Sequence, residues 1–551
     1  MAEPRLHDTA FPTLTPDQLE GFKGCPLCKR KRFRDGEALF RAGERDPRFY
    51  VVVAGRIEIV DELGDAPKVI AEHGPGAFAG DVSLVSGRPA VVTAYARGDT
   101  DVYEVSPDAL KQLLNHDPEL GDTILQAFIA RRQLLREPGT FTGLRVVGSH
   151  SSQETFRVRD FLNRNGQPFT WLDLDTDPTA KDLLRLFGLG EADTPVVSCG
   201  RHVVLKNPKP RDLAEALGLR RMPGPEVQDL VVVGAGPAGL AAAVYAACEG
   251  LSTVVLETMA PGGQAGRSMR IENYLGFAGG ITGEKLIEQA VMQAGKFGAC
   301  LPVGAQVRGL SFDGPVSVVR LDGGETVKAK CLVIATGAEY RVLGVPGCAE
   351  YEGRGVYYAA TPIEAPVCRD QDVVVVGGGN SAGQAVVFLA QKAQARKVYV
   401  VVRGNDLRKS MSEYLVRRIE GIENVEILTN TEVRRLEGDG SLEHVELADR
   451  KTGAVKRLGC PALFSFIGAT PRTDWLPAEI ERDDKGFVKT GPGLAASPRW
   501  TAKRPPFYLE TTRPGVFAAG DVRSGSVKRC ASAVGEGSMA VQFVHEHLKD
   551  V

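Results

Sequence analysis

Two segments repeat one pattern: a short run of β-branched residues, a glycine-rich turn, then a stretch of good helix formers. The first is DLVVVGAGPAGLAAAVYAA and the second is DVVVVGGGNSAGQAVVFLA. Continuous apolar runs bounded by turn signals read as strands buried on both faces, so each segment predicts a strand, a tight turn and a helix. The patterning differs elsewhere. Over residues 14–135 short strands alternate with glycine turns and end in a helix. Over residues 143–217 the order reads βαβα and then strands, through LRVVGSH, ETFRVRDFLNRNG, PFTWLDLD, DLLRLFGL and TPVVSCGRHVVLKNP. Two Pro/Gly/Arg-rich stretches, residues 136–143 and 219–229, interrupt periodic segments and read as linkers.

The glycine turns carry the first chemistry. Gly234, Gly236 and Gly239 stand in GxGxxG register around Pro237 and Ala238. Gly377, Gly379 and Ala382 stand in GxGxxA register around Asn380 and Ser381. Such a turn lets the backbone approach a pyrophosphate and aims a helix N-terminus at it. Two turns in one chain point to two dinucleotides, a flavin paired with a nicotinamide. The strand after the first turn ends in Glu257, which accepts hydrogen bonds from ribose hydroxyls and repels a 2′-phosphate, as an FAD site requires. The strand after the second ends in Arg403, with Arg408 and Lys409 close behind. Cations there favour a 2′-phosphate, hence NADPH.

Composition narrows the function classes. A chain of 551 residues is too long for one core and predicts roughly three to five domains. A net charge of −2 argues against nucleic-acid or anionic-membrane binding. No apolar run approaches the roughly 20 residues of a membrane span, and the N-terminal segment has no signal-like pattern. Ten scattered cysteines suit a reducing cytoplasm, and no second Cys/His pair at ligand spacing suggests a metal site.

From about Gln228 onward the chain resembles the low-molecular-weight thioredoxin reductases, a branch of the pyridine nucleotide–disulfide oxidoreductases. PGGQAGRSMRIENYLGF matches that family's flavin-contacting segments, so the resemblance makes Gly262, Gly263, Gln264 and Asn273 flavin neighbours. VIATGA matches the strand closing the FAD domain, with Thr336 and Gly337 at the crossover. GVFAAGDV carries Gly520 and Asp521, the latter expected on the FAD ribityl chain. Arg529, Cys530 and Ala531 open the following helix, whose positive end would face the flavin ring. The family's 2′-phosphate motif is partly kept: Val402 and Gly404 replace two members, while Arg403 and Arg408 remain. A homodimer is also implied by the resemblance.

One departure is chemical. The family's redox tetrapeptide has a cysteine at each end, and here Ala359 and Pro362 occupy those places. Thiol–disulfide exchange needs sulfur at both, so the family's usual relay to thioredoxin cannot run there. The remaining candidate thiols are Cys368, Cys530 and the chain's only CxxC, Cys25 and Cys28. The basic flank of that pair predicts a lowered thiolate pKa.

The N-terminal segment resembles a cyclic-nucleotide-binding domain, an all-β jelly-roll-like fold. Gly36, Gly43 and Gly55 fall at its turns, and FAGDVSLVSGRPAVV resembles its phosphate-binding cassette. Gly80, Asp81, Arg88 and Ala90 fill the Gly-Glu and Arg-x-Ala places, implying that Arg88 neutralises a cyclic phosphate and Asp81 binds the ribose 2′-hydroxyl. The middle segment resembles an α/β thioredoxin or glutaredoxin fold. Thr194-Pro195 sits at its cis-proline position, and serines stand where its CxxC should be.

The expected architecture is thus multidomain. It comprises a nucleotide-binding-like domain at 14–136 and a thioredoxin-like domain without CxxC at 143–218. An FAD domain at 228–345 and 472–551 is interrupted by an NADPH domain at 346–471. Three functions stay open: a disulfide reductase using Cys25–Cys28 or a partner's disulfide; a thiol-free flavin reductase acting on ferredoxin, quinone or O₂; and a non-enzymatic nucleotide sensor.

Overall fold

The computed structural model describes residues 6–62, 67–81, 83–86, 89–90, 92–135, 144–199, 203–362 and 364–550. The expected linker at 136–143 and Arg88 lie outside them.

In the N-terminal unit the long strands Phe49–Asp61 and Thr93–Val105 run antiparallel. Cys28–Phe33 and Lys68–His73 flank them in a six-stranded sheet. The helix Pro118–Leu135 closes the roll, burying Ile124 and Phe128 against Phe49 and Phe78. In the middle unit Leu144–Gly148 pairs parallel with Thr170–Asp173 and antiparallel with Val196–Cys199. The helix Gln153–Arg164 crosses between the first two strands, capped where the Ser152 side chain accepts from the Thr155 N–H at 3.2 Å. The Thr194–Pro195 peptide is cis, at the expected position.

The C-terminal part contains two nucleotide-binding sheets. In the first, Gln228–Val233 lies between Thr253–Leu256 and Thr326–Ile334, all parallel. Its residues Leu230, Val231 and Val232 are fully buried, as the unbroken apolar run demands. The second sheet is five-stranded and all parallel, with Asp372–Val376 between Lys397–Val402 and Ala462–Ser465. The chain passes between the two units at Ala338–Tyr340 and Ala469–Pro471, which pair as an antiparallel ribbon. The first crossing therefore precedes the expected boundary at Pro346, whose carbonyl already accepts from the Leu436 N–H at 3.0 Å.

The units share packing. One buried cluster contains Phe40 of the roll, Val146 and Phe161 of the middle unit, and Val303 of the flavin-side unit. Residues 219–229, expected as a linker, are tied down at their start. Leu219 is 4% exposed, and Arg220 makes a two-pronged ion pair with Glu325 at 3.0 and 3.0 Å. Among the described residues no helix is long and apolar enough to cross a membrane.

Candidate dinucleotide sites and the cleft between them

The first glycine turn lies where the strand Gln228–Val233 meets the helix Pro237–Cys248. Gly234 has φ +103°, and a Cβ there would meet the Ala335 carbonyl oxygen at 2.4 Å. A Cβ on Gly239 would lie 1.9 Å from the Gly234 carbonyl oxygen, so only glycine lets helix and strand approach this closely. A Cβ on Gly236 would meet nothing within 4 Å, leaving open space in front of the helix N-terminus. The Glu257 carboxylate lies beside the turn, accepting from the N–H groups of Ala235 and Met259 at 2.9 Å each. It braces the turn as well as facing it. Gln264 donates to the Ala338 carbonyl, and Thr336 Oγ1 donates to the Arg472 carbonyl at 2.9 Å, so both bind the two crossings. Gly263 and Gly337 take positive φ, 53° and 65°, while Asn273 stands exposed.

Asp521 is half-buried in the short turn Gly520–Val522, and burial pushes its carboxyl above the usual range. Arg529 is the N-cap of the helix Cys530–Leu548, and Ala531 lies in its first turn. That helix also supplies Glu536, whose carboxylate accepts from the Gly520 N–H at 2.7 Å. Sequence reasoning missed this brace, although Glu536 lies in the very segment that revealed the helix.

The second turn repeats the first. A Cβ on Gly377 would lie 2.5 Å from the Phe466 carbonyl oxygen, and Gly379 caps the helix Asn380–Gln391 with open space before it. Ala382 is fully buried, and the Asn380 side chain accepts from the Ser412 N–H at 2.7 Å. The two expected phosphate-binding arginines differ. Arg403 is 65% exposed and loosely placed 3.9 Å from Glu432. Arg408 is held by both Glu420 carboxylate oxygens at 2.8 Å, which occupies its guanidinium fork. Arg403 thus has one loose partner, whereas Arg408 sits in a partly exposed two-pronged ion pair.

The two sites converge. The Tyr340 side chain lies close enough to Ser381, in the first turn of the second helix, for the two hydroxyls to interact, and it feels the charges of Arg267 and Asp521. Across the same cleft Arg418 pairs with Glu272 at 3.2 Å, and Met269 packs on the core of the second unit.

The pyridine nucleotide-disulphide oxidoreductase family model matches residues 228–537, more than half of the chain. The chain belongs to this family. The chain is similar to the thioredoxin reductase of Mycolicibacterium smegmatis, 37% identical over 314 residues, which covers 57% of this chain and 94% of that one. It is also similar to the thioredoxin reductase of Bacillus subtilis (strain 168), 34% identical over 327 residues, covering 59% and 96%. Among solved structures, Lactococcus lactis thioredoxin reductase (FR conformation) aligns with a TM-score of 0.53 at 28% identity, covering 59% of this chain and 100% of that one. T. acidophilum thioredoxin reductase aligns at 0.52 and 30% identity, covering 58% and 99%. A cyclic nucleotide-binding domain model matches residues 30–117. FAD and NADPH are the cofactors of the oxidoreductase family, and this chain is an oxidoreductase dependent on both. The open cradles at Gly236 and Gly379 fit two pyrophosphates.

Ala359 and Pro362 lie in a segment bounded by contacts to the helix Gln153–Arg164. The Phe156 ring lies 5.9 Å from that of Tyr357, and Gln153 Cγ would stand 3.3 Å from a Cβ on Gly353. Arg159 lies over the Trp171 ring at 3.6 Å and feels the charge of Glu364. Glu364 is buried, which raises its carboxyl to about 7 despite hydrogen bonds from Thr361.

Burial raises three of the candidate thiols, Cys28, Cys368 and Cys530. Three of the four cations after Cys28 are matched across the sheet: Arg30 to Asp101 at 3.1 Å, Lys31 to Glu104 at 3.1 Å, Arg32 to Asp99 at 2.7 Å. Burial and the neighbouring Cys25 then push the Cys28 thiol up to about 12, correcting the expected lowering. Cys368 is fully buried, and its thiol is pushed up to about 12. The Cys530 thiol rises to about 11 through burial and the Asp521 charge. Of the cassette residues, Asp81 pairs with Arg132 at 3.5 Å, Gly80 packs on Leu84, and Ala90 is buried.

Proposed function

We propose that the chain is an NADPH-driven flavin oxidoreductase that delivers its electrons without a disulfide at 359–362. The observation that supports this reading is the position of Tyr340 between Ser381 of the second glycine turn's helix and Arg267 and Asp521 of the other unit, while residues 359–362, which carry no sulfur, lie in a segment beside the helix Gln153–Arg164. Bound FAD supplies a two-electron centre that takes hydride from NADPH and passes electrons to an acceptor. The chain's residues prepare the place. Gly234, Gly236, Pro237, Ala238 and Gly239 seat one pyrophosphate, and Glu257 faces its ribose. Gly263, Gln264, Asn273, Thr336 and Gly337 line the flavin side. Asp521, partly stripped of water, gains from a hydroxyl that donates to it. Arg529, Cys530 and Ala531 present the positive end of a 19-residue helix, which favours electron-rich groups. Gly377, Gly379, Asn380, Ser381 and Ala382 seat the nicotinamide dinucleotide.

Arg403 is the cation for the 2′-phosphate. Arg403→Ala is expected to raise KM for NADPH about tenfold and leave NADH unchanged, the cost of one charge-assisted hydrogen bond. Arg408→Ala is expected to change neither much. Initial rates with both nucleotides check this; equal losses with NADPH and NADH would remove Arg403 from the role.

The reading is tested by anaerobic NADPH titration of the flavin, followed by turnover with a quinone and with oxidised thioredoxin. Cys25→Ser/Cys28→Ser should keep full quinone turnover, because electron transfer from the flavin to a quinone needs no thiol. Thioredoxin reduction that disappears in this double variant would overturn the proposal in favour of a disulfide route.

A further inference from the structure

Three strand ends of the second unit are stitched together beside its parallel sheet. Val425–Thr429 lies parallel to Lys397–Val402, so both strands end at one edge. The strand His444–Asp449, from the neighbouring three-stranded sheet, ends against them. The Asn430 N–H donates to the Gly404 carbonyl at 2.8 Å, and the Arg450 N–H donates to the Asn430 carbonyl at 2.7 Å. Arg450 is thereby brought to Arg403, 47 positions earlier in the chain, and its guanidinium donates to the Arg403 carbonyl at 3.3 Å.

One carboxylate serves three guanidinium groups here. Glu432 lies 3.9 Å from Arg403 Nε, 3.5 Å from Arg450 Nε and 3.6 Å from Arg434 Nε. Among the described residues no other acid pairs with Arg403 or Arg450. Asp449, the chain neighbour of Arg450, accepts from the N–H groups of Lys451 and Thr452 at 2.8 and 2.7 Å and closes the turn. Like charges held this close repel one another. Three positive charges against one negative leave an excess of about two, which matches the charge of about −1.5 to −2 on a phosphate monoester near pH 7. Arg450 is 51% exposed, so like Arg403 it stays open to a ligand.

On the reading that the second turn cradles NADPH, the 2′-phosphate falls at the end of the strand Lys397–Val402. Resting on that reading, we propose that Arg450 is a second specificity residue for the 2′-phosphate, binding it together with Arg403, and that Glu432 holds the two guanidinium groups side by side. Arg408, nearer in sequence, is committed to both carboxylate oxygens of Glu420. A residue from a distant strand end thus takes the place that chain spacing gave to Arg408. The 2′-phosphate is remote from the nicotinamide ring that gives up hydride, so Arg450 acts on nucleotide binding and leaves kcat alone.

The test is calorimetric titration of the full-length flavoprotein with 2′,5′-ADP and with 5′-AMP, which differ only by the 2′-phosphate. Arg450→Ala should weaken 2′,5′-ADP about tenfold, the worth of one charge-assisted hydrogen bond, and leave 5′-AMP unchanged. With NADPH it should raise KM and not lower kcat. Arg450→Lys, which keeps the charge without the fork, should recover part of the loss. Arg434→Ala, which removes the third partner of Glu432, should leave both affinities within about twofold. An equal loss in Arg434→Ala would show diffuse charge and overturn the assignment. So would an Arg450→Ala protein that loses 5′-AMP as much as 2′,5′-ADP, which reports a structural role. If Arg403→Ala weakens 2′,5′-ADP and Arg450→Ala does not, the NADPH reading stands and Arg450 is removed from it. If the unaltered protein binds 2′,5′-ADP no more tightly than 5′-AMP, both fail together.

Discussion

Gly239→Val is expected to yield a protein purified without flavin. The added Cβ would lie 1.9 Å from the Gly234 carbonyl oxygen and 3.2 Å from Val232 Cγ1. The closer atom is backbone inside the turn and cannot step aside as a side-chain tip could. The helix Pro237–Cys248 must therefore move off the sheet, carrying its N-terminal amides out of register with a pyrophosphate. Overpacking of this kind costs about 3 kcal/mol, a loss of at least roughly a hundredfold in FAD affinity. Flavin absorbance per mole of chain after purification is the measurement. Gly236→Ala is the informative comparison, because its Cβ meets no protein atom within 4 Å. It should leave the fold intact and weaken FAD only by crowding the ligand. A Gly239→Val protein with full flavin content would show that this turn is not the FAD cradle.

Freeing the helix Gln153–Arg164 is expected to slow flavin reduction by NADPH about ten- to a hundredfold. This helix touches both dinucleotide units. Its first half meets the NADPH-side segment through Gln153, Phe156 and Arg159. Its second half meets the flavin side: Asp160 pairs with Arg267 at 2.9 Å, and Arg164 donates to the Ala260 and Gly263 carbonyls at 3.4 Å each. Such contacts favour the one arrangement in which the two cofactor ends meet. Phe156→Asp with Arg159→Glu removes the NADPH-side half and sets an acid against Glu364. If those contacts are worth about 1.4–3 kcal/mol, the competent population falls by the stated factor. Anaerobic stopped-flow bleaching reads the rate, and flavin content should stay constant because Asp160 and Arg164 are untouched. An unchanged rate would mean that the helix does not hold the arrangement. The same helix leads back to the N-terminal roll: Arg132 donates to the Gly166 carbonyl at 3.0 Å and pairs with Asp81, and its neighbour Arg131 lines a cavity of the roll. A ligand there can influence flavin reduction only if it prefers one position of this chain of contacts.

Both cradles were legible before any coordinates, because the requirement is local. A strand, a turn that excludes Cβ atoms and a helix N-terminus are all specified within a dozen or so residues. That residues 359 and 362 are alanine and proline was equally plain, since residue identity needs no fold. The cis Thr194–Pro195 peptide followed from its position in the middle unit. What the chain did not disclose were pairings between residues far apart in sequence. The basic run after Cys28 looked activating, yet a strand some 70 residues later supplies Asp99, Asp101 and Glu104 against it. The ion pair between Arg408 and Glu420 was likewise not visible in the sequence.

The sequence by itself determined two strand–glycine turn–helix units, the acid and the cations that follow them, and the lack of sulfur at residues 359 and 362. These depend on which atoms a residue carries and on neighbours close along the chain. Only the tertiary structure decided that Tyr340 stands between Ser381 and Asp521, that one helix of the middle unit touches both dinucleotide units, and that His73 Nδ1 is buried in the N-terminal roll without a partner among the described residues. Those are outcomes of burial and of long-range partners, and no local pattern encodes which distant carboxylate, carbonyl or ring a side chain will find.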